Sequence, residues 1–170
     1  MYDRAGVRTA PASRLYGTRL RWARGCLTLL TLGEGLPGAW ALLWPRGFYD
    51  NYPAPGHPWV AALPPYNEHL VRDFGAGVLA LSVVLAWAAC TVQRRLVQAA
   101  SVAALTLCVS HLAFHSAHLG LPAGVEEGAQ LLSLTLPVVC AVAALLAARR
   151  TTAPPGPLYV RPPGKEEVRG

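Results

Sequence analysis

Four apolar runs, at residues 26–44, 74–92, 96–119 and 129–148, divide this 170-residue chain, and the basic residues between them are sorted by side. Each run is close to the ~20 residues that cross a ~30 Å hydrocarbon layer. With the amino terminus in the cytoplasm, thirteen of the fifteen Lys and Arg residues fall inside, and only Arg46 and Arg72 fall outside. The positive-inside rule therefore places both termini in the cytoplasm. The expected fold is all-α: a bundle of four transmembrane helices, multi-pass in the plasma membrane.

Hydrophobic residues make up 53% of the chain and charged residues 14%, against about a quarter charged in ordinary soluble domains. A soluble bundle would need polar stripes facing water, and the stretches 79–92 and 130–148 have none wide enough. The expected organisation is a basic cytoplasmic segment (1–25), one membrane domain (26–148) and a Pro/Gly-rich, disordered cytoplasmic tail (149–170). The first run is a poor cleavable signal, being long, interrupted by Glu34 and Pro37, and lacking a small-x-small site. The net charge of +6 arises from the flanks. Topology and anionic headgroups explain those residues, so the expected partner is the lipid bilayer and not nucleic acid. Cys26, Cys90, Cys108 and Cys140 fall one per span without metal or redox spacing. They read as small apolar packing residues.

Trp40 and Trp44 mark the outer end of the first span, which is expected to kink near Gly35, Pro37 and Gly38. The loop at 45–68 is rich in Pro and aromatics, with Tyr49, Tyr52, Trp59 and Tyr66 suited to a headgroup boundary. An ordered cap over the bundle is expected there. Asn67 reads as the N-cap of the second span, with Glu68 in its first turn facing the positive dipole end. Arg94 and Arg95 form a tight inner turn, Gly120 ends the third span, and Glu126 and Glu127 open the fourth.

Under this topology all five histidines lie on the outer side. His111, His115 and His118 stand at i, i+4 and i+7, within about 60° of one another on one helix face. Ionisable groups at membrane depth usually point into a bundle and mark a site. At ~1.5 Å rise per residue, His111, His115 and His118 lie about 24, 30 and 34 Å above Arg95. Asp73 and His69 lie about 31 and 37 Å above Arg94 on the same rule. Asp73 is thus level with His115 and positioned to orient an imidazole, with Glu68 and Asp50 as further candidates. The competing reading leaves the imidazoles wetted at the interface or bonded to a neighbouring helix. Three histidines on one helix do not close a metal shell alone, so no metal is assigned. Glu34 lies about 15 Å above Arg24, near mid-bilayer, where a carboxyl is expected protonated or paired. It reads either as a proton or substrate group or as a neutral interhelical hydrogen bonder, about 9 Å deeper than His111 and out of its direct reach.

The segment from Pro45 to Pro53 reads Pro-Arg-Gly-Phe-Tyr-Asp-Asn-Tyr-Pro, and that from Pro65 to Gly75 reads Pro-Tyr-Asn-Glu-His-Leu-Val-Arg-Asp-Phe-Gly. Together with the His-x-x-x-His-x-x-His run, these resemble a group of bacterial four-helix membrane proteins, mostly uncharacterised and seen in actinobacteria. Tyr52 stands where that group usually has Phe. The resemblance covers about residues 26–148 and is similar, more loosely, to DoxX-like membrane proteins, some linked to quinone-dependent oxidation of sulfur compounds. It implies architecture before activity.

Three function classes follow. The first is a non-catalytic envelope or partner-interacting component. The second is a redox or quinone-interacting membrane protein with an outer-leaflet site of His111, His115, His118, Asp73, His69, Glu68 and Glu34, for which haem, a metal or quinone would be the cofactor. The third is a small transporter using the same residues. Nothing matches a nucleotide loop, a nucleophile elbow or a complete metal motif, which favours the first. Gly75, Gly77 and Ala80 permit a homo-oligomer or a membrane-protein partner.

Overall fold

The computed structural model describes residues 17–118 and 124–149. Among them the chain forms α1 (Gly17–Leu43), α2 (Pro45–Asn51), α3 (Glu68–Thr91), α4 (Arg94–Ala117) and α5 (Val125–Ala147). A small antiparallel hairpin of β1 (Pro53–Ala54) and β2 (His57–Pro58) lies between α2 and α3. The helices α1, α3, α4 and α5 are each long and apolar enough to cross a membrane. The expected four-helix bundle is the observed architecture. The first sixteen residues, the Gly120 cap and the tail beyond Arg149 lie outside the described residues.

All four long helices begin earlier than the apolar runs do, α4 by only two residues. Helix α1 starts at Gly17, within the stretch expected as a basic surface segment, because Leu20 and Ala23 already pack into the core. There Arg24 Nε donates to the Ala89 carbonyl of α3 at 3.2 Å. Helix α3 starts at Glu68 because Asn67 caps it, its side-chain oxygen accepting from Leu70 N at 3.1 Å. Helix α5 starts at Val125, with Glu126 and Glu127 in its first turn. Pro37 lies inside α1 without ending it.

The four long helices alternate in direction. Helix α1 packs on α3 and α5, and α4 closes the ring against α5 and α3. One end of the bundle gathers Leu43, Glu68, Ala117 and Val125 and is called here the histidine end; the other gathers Gly17, Thr91, Arg94 and Ala147 and is the arginine end. Between α3 and α4 the chain turns in two residues, Val92 (φ 47°, ψ 34°) closing one helix and Gln93 opening the next. A β-branched residue in the left-handed region is strained. Val92 is held there with its side chain buried in the core.

That core is small-residue packing concentrated toward the arginine end: Ala23, Leu27 and Leu30 meet Leu85, Ala88, Val97, Ala100, Ala104, Ala141 and Ala144. Farther along, α1 and α3 touch backbone to backbone at Gly38 and Gly75. Leu29, Leu32, Leu36, Val83, Trp87 and Leu132 project outward from the helices. This arrangement is compatible with a bilayer around the bundle, where lipid and not water receives the apolar surface.

Candidate functional site

The imidazoles of α4 form a graded column. His111 and His115 are half-buried with ring centroids 4.8 Å apart, and His118 is exposed at the helix C-cap. His118 stacks on Phe114 at 4.4 Å, and its Nδ1 lies 2.9 Å from the Phe114 carbonyl. A carbonyl only accepts, so Nδ1 carries the hydrogen and Nε2 is left as the acceptor. One turn below His111 on the same helix, buried Cys108 directs its thiol at Glu34 Oε1 on α1, 3.4 Å away. The structure thus links Glu34 to the histidine helix through a side chain that sequence reasoning treated as packing. The i−3 spacing of Cys108 from His111 was the signal that could have found it.

Asp73 and His69 are placed differently. They pair with each other along α3, His69 Nε2 to Asp73 Oδ2 at 3.3 Å, and among the described residues no ion pair joins Asp73 to an α4 imidazole. Four residues apart on a helix, they meet before either can cross to a neighbour. Phe74 instead faces α4, edge-on to the His111 ring at 6.3 Å. Glu68 binds Arg72 Nε at 2.9 Å, while Arg72 Nη1 donates to the Leu42 carbonyl at the end of α1. Asp50 pairs with Arg46 along α2 at 2.6 Å, and the Arg46 guanidinium lies 5.0 Å from the Tyr66 ring centre. The carboxylate holds the Arg46 guanidinium above its ordinary, already high, pKa.

A second polar centre lies at the same end of the bundle. Glu126 of α5 takes His57 Nδ1 on Oε1 at 2.6 Å and the Trp59 indole N–H on Oε2 at 2.7 Å. The hairpin is thereby tied to the first turn of a helix far along the chain. The sequence reading saw in Glu126 only a dipole-favoured helix start. Nearby, Tyr52 packs on Phe48 and Trp40, ring centroids 4.8 and 6.2 Å away. Burial, and secondarily the Glu34 carboxylate, push its phenol above the ordinary value.

Between α3 and α4 a cavity of about 390 Å³ is lined by Asp73, Phe74, Gly77, Val78, Leu81, Ala103 and Leu107. It is apolar except at its Asp73 rim, which suits a hydrocarbon chain or planar ring better than a hydrated ion. Among the described residues no three His, Cys, Asp or Glu side chains gather into a metal-holding group. The chain matches no family model, no curated protein and no solved structure.

Proposed function

We propose that the chain is a multi-pass protein of the cell membrane, with both termini cytoplasmic, that acts as a non-catalytic component and works through its histidine end. What supports this reading is the division of charge. The arginine end carries Arg24, Arg94, Arg95 and Arg149, while the opposite end carries all five histidines and the pairs Arg46–Asp50, His57–Glu126, His69–Asp73 and Arg72–Glu68. A partner approaching from outside would meet α2, the hairpin and the α3 start, where aromatic rings and paired charges stand together.

The test is sided labelling of single cysteines in a background lacking the four native ones. Cysteine at Trp59 should react with a membrane-impermeant maleimide in intact cells, and cysteine at Thr151 only after permeabilisation. The reversed pattern would overturn the orientation and, with it, the assignment of the working surface.

A second reading follows from the cavity between α3 and α4 and the DoxX-like resemblance. There the protein binds a membrane-soluble quinone, its tail along Gly77 and Leu81 and its ring beside Asp73 and Phe74. Protein purified in mild detergent would then carry a stoichiometric quinone absorbance, lost when Gly77→Leu fills the cavity. A bare spectrum, with no quinone in the solvent extract, argues for the first reading.

A further inference from the structure

We infer that Glu34 is a proton-binding site within the membrane, loaded from the histidine end through the imidazoles of His118, His115 and His111. This rests on the four long helices lying in a bilayer and goes beyond the role proposed above. It does not depend on which face of the membrane the histidine end occupies.

The geometry is a line of proton-bearing groups on one face of α4. Cys108, His111, His115 and His118 follow one another at spacings of three, four and three residues, which keeps them on a continuous stripe. Exposure falls steadily along it, from open His118 through half-buried His115 and His111 to Cys108 at 5%. The line ends on a carboxyl, since Cys108 Sγ donates to Glu34 Oε1 at 3.4 Å. The last step balances when the thiol passes its proton to Glu34 Oε1 and the sulfur is re-protonated from His111, one turn above, through a bridging water. At the wet end His118 Nε2 is the free acceptor, because Nδ1 is committed to the Phe114 carbonyl. Ring rotation or a bridging water carries the proton across the intervals between rings. Each transfer moves one proton and no electrons, and the site is empty when Glu34 is a carboxylate and filled when it is an acid.

The surroundings favour a proton over a larger guest. The titratable groups that face Glu34 are Cys108 on α4 and the Tyr52 phenol at the end of α2. Helix α3 meets this stretch of α1 with the Ser82 side chain beside Gly35, and α5 carries its carboxylates, Glu126 and Glu127, only in its first turn. Phe74 of α3 stands edge-on to His111, with Asp73 and His69 beyond it at the rim. No cation side chain is paired with Glu34 among the described residues, so a proton is the charge that neutralises it.

The test is time-resolved infrared spectroscopy of the full-length protein in detergent after a pH jump. A protonated-carboxyl C=O band should appear on acidification, shift in heavy water, and vanish in Glu34→Gln. In His111→Phe the same band should reach the same amplitude but rise about 10²-fold more slowly, the scale of a lost proton-transfer group. His118→Gly should slow it as well, and added imidazole should restore the rate. Circular dichroism and size-exclusion elution check that each variant folds; should His111→Phe fail to fold, His115→Gln takes its place with the same slowing expected. A band that survives Glu34→Gln, or a rate unchanged by losing an imidazole in a folded variant, overturns the inference.

Discussion

At Gly75 a hydrogen stands where any other side chain would collide with a neighbouring backbone. A Cβ there would lie 2.5 Å from Leu42 N and 2.7 Å from the Gly38 carbonyl. Two residues on, a Cβ at Gly77 would meet nothing within 4 Å. Gly75→Ala should therefore lower unfolding stability in detergent by roughly 1–3 kcal/mol, the usual penalty for overpacking. Gly77→Ala should be neutral or raise stability by up to about 1 kcal/mol through helix propensity. Equal effects in chemical denaturation of the two variants would remove the backbone contact from the account. The sequence reading grouped Gly75, Gly77 and Ala80 as a face open to a second subunit. Helix geometry argues otherwise, for two residues of separation turn a side chain by about 200°. Gly75 serves the α1–α3 contact within the chain, and Gly77 lines the cavity. Glu34 was legible because a carboxylate in an apolar run is conspicuous. Its partner Cys108 was legible only through its i−3 spacing from His111, since a lone cysteine at membrane depth otherwise resembles any small packing residue.

Among the elements, each long helix has a side-chain donor near its carbonyl-rich end. Arg72 serves α1 at Leu42, Arg24 serves α3 at Ala89, His118 serves α4 at Phe114, and Gln98 serves α5 at Ala148. Terminal carbonyls lack intrahelical partners, and a donor or positive charge there complements the helix dipole. Three of the four donors come from another helix, so their role emerges only once the helices are packed. The Asn67 cap, by contrast, is local and was readable from the residue type and its place before an apolar run. The bond from Glu126 to the hairpin is non-local and was not. Its contribution can be measured by hydrogen–deuterium exchange. In Glu126→Ala, amides around Trp59 and Ala62 should exchange faster while those of α1 near Leu27 stay protected. Unchanged exchange around Trp59 would show that the hairpin is held by its aromatic packing alone.

Over the whole molecule, packing quality changes from one end to the other. Alanines and leucines interlock toward the arginine end, whereas the histidine end holds a cavity, half-buried rings and charged pairs. Hydrophobic run length made the four helices and their alternation legible, because the bilayer imposes a length on each span. The division into tight and open halves was not legible, since it depends on which small residues face each other across helices. Glu126 adds a property of its own, because its two hydrogen bonds join α5 to the α2–α3 connection without help from the covalent link between His118 and Gly124. The last helix is thereby docked by contacts that do not need its own tether. Co-expressing residues 1–118 with residues 124–170 should yield a co-purifying pair, and Glu126→Ala in the shorter piece should weaken their recovery together. Continuity of the polypeptide at that point would then be a convenience of synthesis, with assembly written into the docked surfaces themselves.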